Sequence, residues 1–255
     1  MDLFEIDSST IFWRLEKTGH VGSSNDLVVR RARDGEKEGL VIWAQSQRKG
    51  RGRLGRQWVS PPGFGLYFSV LLRPPAHFKH VAALSLVAAV AMAEGLIQSG
   101  GIPVELKWPN DLRLAGKKIG GILLEYEPHG NRRPGIILGV GINLKSPPGG
   151  YPAEFRDNAT SMEAAGCRVT DEREIIQTLL LHLARWYTDF RVSGFEHARQ
   201  RWEALCDGIG MHTSIRVTGD RIEGTMKGID ETGRLILEDR EGKVHSIDTG
   251  EVVER

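Results

Sequence analysis

A loop rich in arginine and glycine is the segment of this sequence best suited to bind an anion. Residues 50–58 read Gly-Arg-Gly-Arg-Leu-Gly-Arg-Gln-Trp, so three arginines alternate with three glycines. Guanidinium groups bind phosphates and carboxylates through paired hydrogen bonds, and glycines let the backbone approach a ligand. The loop lacks the Gly-Lys-Ser/Thr ending of a nucleotide-hydrolase phosphate loop. It predicts a mobile flap that closes on an anion, with a solvated basic loop or a nucleic-acid-binding patch as alternatives.

A second segment places a lysine in a predicted hairpin. Residues 107–111 read Lys-Trp-Pro-Asn-Asp, and Lys117-Lys118-Ile-Gly-Gly follows shortly after. Because side chains alternate along a strand, one of the two lysines is expected to face a cleft and the other solvent. The two glycines that follow leave room for a ligand. A lysine in such a cleft stabilises charge that develops on a phosphate or an oxyanion. The alternative is an ordinary hairpin with two surface lysines.

A third segment, residues 139–143, reads Gly-Val-Gly-Ile-Asn. Because its glycines are two residues apart, one face of the predicted strand lacks side chains, and a flat ligand could lie against it. Asn143 offers both a hydrogen-bond donor and an acceptor. A crowded crossing inside a sheet is the alternative.

The elements that must position these segments are read from apolar runs, turn residues and caps. Ser23–Asp26 offers caps for a helix that starts before Leu27, and residues 81–97 predict a helix that ends near two glycines. Further helices are predicted after a Thr170 cap and over residues 195–205. Strands are predicted over the ranges 11–16, 40–44, 66–72, 104–108, 111–114, 118–125 and 136–143.

The pattern of apolar runs and turn residues changes near the C-terminal end of the sequence. From Met211, short strands alternate with glycine turns, which is typical of a small β-barrel. The earlier strands run in adjacent pairs more than in β-α alternation. This favours an α+β fold with a mixed or antiparallel sheet over a doubly wound one. We predict two domains, residues 1–209 and 210–255.

Composition excludes several classes of protein. The 255 residues carry a net charge of +1, with 40% hydrophobic and 26% charged residues, as in ordinary globular proteins. The two cysteines are isolated, so neither a disulfide framework nor a Cys-x-x-Cys zinc site is expected. No secretory signal or membrane span is recognisable. The prediction is therefore a cytoplasmic protein.

The motifs together are more specific than any one of them. In order they are Ser-Ser-Asn, Gln-x-x-Gly-Arg-Gly-Arg-x-Gly-Arg-x-Trp, Lys-Trp-Pro-Asn-Asp, Lys-x-Gly-Gly-Ile-Leu and Gly-x-Gly-Ile-Asn. In this order they resemble the biotin protein ligases, also called biotin–[acetyl-CoA-carboxylase] ligases, over nearly the whole chain. The resemblance implies a catalytic domain with a mixed sheet and a small C-terminal SH3-like β-barrel.

The resemblance also implies roles for individual residues. Lys118 and Arg53 are expected to be catalytic, and Asp111 is a candidate metal ligand. Ser24 stands where the family has threonine, which keeps the hydroxyl. Biotin binding is implied for Ser23, Ser24, Asn25, Gln47, Gly50, Arg51, Gly52, Arg53, Lys118 and Gly121. Binding of ATP or the adenylate is implied for Arg51, Arg53, Arg56, Trp58, Asn110, Asp111 and Asn143.

The implied reaction uses biotin, ATP and Mg²⁺. Biotin would be activated as biotinyl-5′-adenylate and transferred to a lysine of a biotin carboxyl carrier protein. A homodimer formed by pairing of sheet edges is expected. Operator DNA is not expected as a partner, because the first motif starts at Ser23 and leaves no room for a winged helix. A lipoate ligase on the same scaffold and a nucleic-acid-binding module remain the alternatives.

Overall fold

An eight-stranded mixed sheet forms the centre of the larger part of the molecule. The computed structural model describes residues 2–8, 10–74, 81–128, 135–167, 171–217 and 220–253. The strands are β1 (Asp2–Asp7), β2 (Phe12–Val21), β3 (Leu40–Gln47), β4 (Gly65–Leu72), β5 (Glu105–Lys107), β6 (Asp111–Leu114), β7 (Lys117–Glu127) and β8 (Gly135–Asn143). Their spatial order is β1-β2-β3-β4-β8-β7-β6-β5.

One parallel pair decides where the chemistry-bearing segments meet. Strands β2 and β3 are parallel and are joined through helix α1 (Ser24–Arg33), whereas the other neighbouring strands of this sheet are antiparallel. Val21 pairs with Gln47 in the register of the two strands. Their carboxyl ends therefore lie at the same edge of the sheet. The start of α1 and the loop after β3 both begin there.

Helices cover both faces of the sheet. On one face, α1 packs on a small apolar cluster made of Val28, Ala32, Leu40, Ile42, Leu71 and Ile137. On the other face lie α2 (Leu84–Gly100), α3 (Glu172–Ser193) and α4 (Glu196–Leu205). Helix α2 is buried almost all round because it lies between the sheet and α3. It ends at Gly101, whose φ of 64° is left-handed.

The C-terminal strands form a second, five-stranded antiparallel sheet. They are β9 (His212–Val217), β10 (Asp220–Ile229), β11 (Leu235–Glu238), β12 (Val244–Ile247) and β13 (Glu251–Val253), in the order β12-β11-β10-β9-β13. Its buried residues, among them Ile215 and Leu235, belong to the same apolar cluster as α2. The indole of Trp108 also donates a hydrogen bond to the carbonyl of Gly233, at 3.4 Å. The small sheet is therefore packed on the larger part.

The prediction of an α+β fold with a mixed sheet and a small C-terminal β-structure is confirmed. The predicted hairpin is also present, with its turn at Ala115 and Gly116 in left-handed conformations (φ 49° and 75°). Strands β1 and β13 were not predicted. The domain boundary between residues 209 and 210 stays a prediction.

Two capping predictions need correction. Ser23 occupies the position before α1, but its side chain makes no capping hydrogen bond. The cap of α3 is Asp171, whose carboxylate accepts from the backbone N–H of Arg173 at 2.9 Å. The predicted cap, Thr170, lies outside the described residues.

Candidate functional site

The chemistry-bearing segments converge on one cavity at the carboxyl ends of β2 and β3. The cavity has a volume of about 510 Å³ and opens where α1 no longer covers the sheet. It brings together residues from positions 23 to 253 of the chain. The predicted site residues that line it are Ser23, Ser24, Asn25, Gln47, Arg51, Gly52, Arg53, Arg56, Trp58, Asn110, Asp111, Lys118, Gly121 and Asn143.

One end of the cavity carries an array of donors and acceptors from α1 and β3. The backbone N–H and the hydroxyl of Ser24 both approach Oε1 of Gln47, at 2.8 and 3.0 Å. The amide nitrogen of Gln47 donates to the hydroxyl of Ser60, at 3.2 Å. The amide of Gln47 is thereby held in one orientation. Such an array suits a small heterocycle with both N–H and C=O groups.

Asn25 continues this array to two residues that the sequence analysis did not single out. Its carbonyl oxygen accepts from the hydroxyl of Ser69, and its Nδ2 donates to Oε2 of Glu125, at 2.7 Å. Ser69 is fully buried on β4 and lies 2.6 Å from the hydroxyl of Ser24. The only sequence signal for Ser69 is that a serine interrupts a mostly apolar predicted strand.

The arginine loop folds over the cavity as an irregular hairpin. Isolated bridges join Gln47 to Ser60 and Arg51 to Gln57. The N–H of Gly52 donates to the carbonyl of Arg56, at 2.7 Å, which closes the tip around a short 3₁₀ turn. Gly55 takes part in this turn with a left-handed φ of 74°, which glycine adopts without steric cost.

The three arginines of the loop have different partners. Arg51 donates to Asp26 at 2.7 Å and to Glu125 at 3.3 Å. Arg56 makes a two-point ion pair with Glu251 of β13, at 2.7 and 2.5 Å. Among the described residues, Arg53 makes only long hydrogen bonds, to Asn110 at 3.5 Å and to Thr249 at 3.4 Å.

These environments change the pKa values of the charged groups. The hydrogen bond to Asp26 raises the pKa of Arg51, and that from Arg56 lowers the pKa of Glu251. Burial lowers the pKa of Arg53, although the field of Asp111 opposes this. Arg53 is thus a partly desolvated cation without a close carboxylate, which is the state expected of a group that receives an anionic ligand.

The hairpin places Lys118 in the cavity and leaves Lys117 exposed, as the strand alternation predicts. The ammonium of Lys118 lies 2.5 Å from Oδ1 of Asp111 and 5.6 Å from the ring centre of Trp58. Nδ2 of Asn110 donates to the carbonyl of Ile122, at 2.6 Å. The ammonium of Lys118 is therefore held by the carboxylate of Asp111 at the wall of the cavity.

The glycines of β8 line the cavity, but side chains pack closely against them, which fits the alternative of a crowded crossing inside the sheet. A Cβ atom on Gly139 would lie 2.4 Å from Oδ1 of Asn25, and one on Gly141 would lie 2.4 Å from the indole of Trp58. The two glycines make room for side chains from α1 and from the arginine loop. The indole N–H of Trp58 is buried there and has no hydrogen-bond partner within the part of the chain that the structure describes.

Asn143, at the end of the same strand, donates to the carbonyl of Thr160, at 3.0 Å. The backbone of residues 158–160 also pairs with Lys118, through hydrogen bonds of 2.7 and 2.9 Å. This segment joins two walls of the cavity.

Family models match both parts of the chain. Residues 20–143 match the biotin/lipoate A/B protein ligase family, and residues 208–255 match the biotin protein ligase C-terminal domain. The chain is 37% identical to the bifunctional ligase/repressor BirA of Bacillus subtilis, over 91% of this chain and 70% of that protein. It is 34% identical to the biotin–[acetyl-CoA-carboxylase] ligase of Paracoccus denitrificans, over 79% of this chain and 85% of that protein.

A solved structure agrees with these relatives. The biotin protein ligase from Aquifex aeolicus in complex with biotin and ATP superposes with a TM-score of 0.81, at 30% identity, over 94% of this chain and 97% of that one. This chain belongs to the biotin protein ligase family. The resemblance inferred from the motifs is confirmed.

The site residues predicted from the ligase-family motifs are thus gathered in one place, with the exception of Gly50. Gly50 does not line the cavity, because a Cβ atom there would lie 2.5 Å from the carbonyl of Trp58 and 2.9 Å from the hydroxyl of Ser60. Gly50 instead permits close packing beneath the arginine loop. Two of the loop arginines are held by carboxylates that are not part of the motifs, namely Asp26, Glu125 and Glu251.

In the parts of this ligase-family chain that the structure describes, no three His, Cys, Asp or Glu side chains form a cluster that could hold a metal ion. Asp111 and Asn110 are the oxygen-bearing side chains beside Lys118 at that wall. This fits Mg²⁺ that arrives on a nucleotide, because Mg²⁺ binds through substrate phosphates plus one or two carboxylates. Among the described helices, none has the length and apolar character needed to cross a bilayer.

Proposed function

We propose that this protein is a biotin protein ligase that forms biotinyl-5′-adenylate from biotin and Mg-ATP and transfers biotin to a carrier-protein lysine. One observation carries the proposal. A single cavity has a neutral donor and acceptor array at Ser24 and Gln47, and cations at Arg53 and Lys118. The array suits the ureido ring of biotin, and the cations suit a carboxylate and phosphates in reaction.

The first step joins two anions, so it needs positive charge. A carboxylate oxygen of biotin attacks the α-phosphorus of ATP, a P–O bond forms, and pyrophosphate leaves. Lys118 and Arg53 stabilise the charge that develops on the phosphate oxygens. Asp111 orients the ammonium of Lys118 by direct contact. Asp111 and Asn110 would supply side-chain oxygens to Mg²⁺ bound with the nucleotide, which would neutralise further phosphate charge.

The second step releases AMP. The amine of the acceptor lysine attacks the acyl carbon of the adenylate, the amide bond forms, and the C–O bond to phosphate breaks. The amine gives up a proton as the amide forms. No covalent bond to the enzyme is needed, so neither cysteine has an assigned role. The proposed acceptor is a biotin carboxyl carrier protein, and the name of the Paracoccus denitrificans relative supports a carboxylase as the target of transfer.

Between the steps the adenylate must be protected from water. An acyl-adenylate is a mixed anhydride, and an enzyme that makes one must exclude water until the acceptor docks. The arginine loop lies over the cavity and is joined to the C-terminal sheet through Arg56 and Glu251. These two parts form the cover of the proposed adenylate site.

The test is pyrophosphate exchange into ATP, measured with biotin and with lipoate in parallel. Exchange that depends on biotin and is unaffected by lipoate is the expected result. Exchange with lipoate alone would indicate a lipoate ligase on the same scaffold. Transfer is then measured by incubation with a biotin carboxyl carrier domain and its acceptor-lysine variant, of which only the first should be labelled.

A further inference from the structure

A hydrogen-bonded chain runs from the surface into the biotin end of the cavity. It starts at Glu125, whose Oε2 accepts from Nδ2 of Asn25 at 2.7 Å. The carbonyl oxygen of Asn25 accepts from Ser69, and Ser69 lies 2.6 Å from the hydroxyl of Ser24. Ser24, Asn25 and Ser69 are each at least 95% buried, so the loss of a hydrogen-bond partner is costly there.

The direction of every hydrogen bond in this chain follows from Glu125. A carboxylate that receives Arg51 as well can only accept, so the amide nitrogen of Asn25 must face it. The carbonyl oxygen of Asn25 then faces Ser69 and takes its single hydroxyl proton. Ser69 is left as an acceptor, and the hydroxyl of Ser24 must donate to it. Gln47 remains satisfied by the backbone N–H of Ser24.

The lone pairs and N–H groups that remain free are those that a ligand meets. With the chain in this direction, Ser24 offers the ligand an acceptor, and Asn25 offers its second amide hydrogen. If Asn25 turned over, Ser24 and Ser69 would exchange their roles. A ureido ring has two N–H donors and one C=O acceptor in fixed positions, so a reversed array would leave buried groups unpaired.

We propose that Glu125 is a positioning residue that fixes the orientation of Asn25 and, through Ser69 and Ser24, the donor and acceptor pattern that selects biotin. This inference rests on the proposed function. It does not require Glu125 to touch the ligand.

The experiment compares two charge reversals, both of which remove a carboxylate from Arg51 but only one of which also removes the partner of Asn25. Glu125 and Asp26 both accept from Arg51, but only Glu125 contacts Asn25. Glu125→Lys puts a donor in front of Asn25, so the amide must turn over or lose its partner. Asp26→Lys reverses the same charge beside Arg51 and leaves the chain intact. Biotin affinity is measured by titration calorimetry on the full chain without ATP.

The expected result is that Glu125→Lys weakens biotin binding at least about tenfold more than Asp26→Lys does. The KM for ATP in pyrophosphate exchange should change to a similar extent in both variants, because both disturb Arg51. Equal effects on biotin, or a larger effect of Asp26→Lys, would overturn the proposal and assign the effect to charge alone.

A second variant covers the case in which Glu125→Lys does not fold. Ser69→Ala removes the proton that Asn25 accepts and should weaken biotin binding about tenfold; affinity within about twofold of the wild type would overturn the proposal. Wild-type protein that does not bind biotin at all would instead contradict the proposed function. The two failures are therefore distinguishable.

Discussion

Arg56 and Glu251 form a two-point ion pair, at 2.7 and 2.5 Å, although they lie 195 residues apart in the chain. The pair joins the tip of the arginine loop to strand β13 of the C-terminal sheet. The side chains are about half and one third exposed, so the pair contributes little to global stability. Its effect is expected on the position of the loop.

Glu251→Gln should lower kcat/KM for ATP in pyrophosphate exchange about fivefold, which corresponds to about 1 kcal/mol. Biotin affinity should stay within about twofold of the wild type, since Glu251 lies at the other end of the cavity from Ser24. The matched control is Glu196→Gln, which breaks a similar two-point pair with Arg199 on α4. An unchanged ATP dependence in Glu251→Gln would contradict a role of β13 at the site.

Lys118→Ala should abolish adenylate formation while biotin binding partly survives. Loss of one fixed charge at the reacting phosphate should raise the barrier by about 2.7–4 kcal/mol, by analogy with an oxyanion donor. Pyrophosphate exchange measures the first effect and calorimetry the second. Lys117→Ala is the control, because its side chain is exposed. If Lys117→Ala is the inactive variant, the assignment of the two lysines is reversed.

Arg53→Gly should let adenylate escape before transfer. The variant removes a desolvated cation near the phosphate and adds backbone freedom. With biotin, Mg-ATP and albumin, a streptavidin blot should show labelled albumin in proportion to its concentration. Leu54→Gly is the control, because it adds backbone freedom to the same turn at an exposed residue and keeps the cation. Unlabelled albumin together with normal adenylate retention would show that Arg53 does not help to hold the adenylate in the site.

The two glycines of β8 should separate biotin binding from ATP binding. A methyl group on Gly139 would displace Asn25, and one on Gly141 would displace the indole of Trp58. Gly139→Ala should raise the KM for biotin about tenfold, and Gly141→Ala should do the same for ATP. Gly19→Ala, where a Cβ atom meets nothing within 4 Å, is the control. If both variants affect one substrate only, the two ends of the cavity are assigned wrongly.

Glu36 should make stability depend on pH in the acid range. Burial opposes its ionisation, but hydrogen bonds from Arg31 and Arg14 outweigh this and lower the pKa of Glu36 to about 2. A lowered pKa means that the stabilisation is complete above the ordinary value of 4.5 and is lost as the pH falls towards 2. Glu36→Gln should therefore cost up to about 3 kcal/mol at pH 6.

The free energy of unfolding of this variant and the wild type, measured between pH 6 and pH 3, tests that window. The difference between them should stay constant from pH 6 to about 4.5 and shrink as the pH falls further. Glu231→Gln, at an exposed residue, is the control and should show no such trend. A difference that does not vary with pH would mean that packing, and not the charge of Glu36, is responsible.

The sequence was informative where local rules decide the structure. The end of α2 at Gly101 and the opposite orientations of Lys117 and Lys118 follow from local backbone rules that a single strand or helix obeys. The motif residues could also be assigned to one site, because their order along the chain matched a known family. Fourteen of the predicted residues do line one cavity.

The remaining features depend on which elements become neighbours. Ser69 meets Gly139 across β4 and β8, 70 residues apart, and no local pattern encodes that register. Glu125 gains its role only because α1 places Asn25 in front of it. The sequence left open whether a ligand or a crowded crossing occupies the glycine face of β8, because it does not show that Trp58 packs there.

The glycines of β8 also bear on how such a site changes in evolution. This strand contributes shape to the cavity, whereas the chemical groups that occupy the space come from α1 and from the loop after β3. Substitutions in those two short segments could alter the accepted acid without rebuilding the sheet. A single scaffold could in this way serve both biotin and lipoate enzymes, the two substrates that the family name joins.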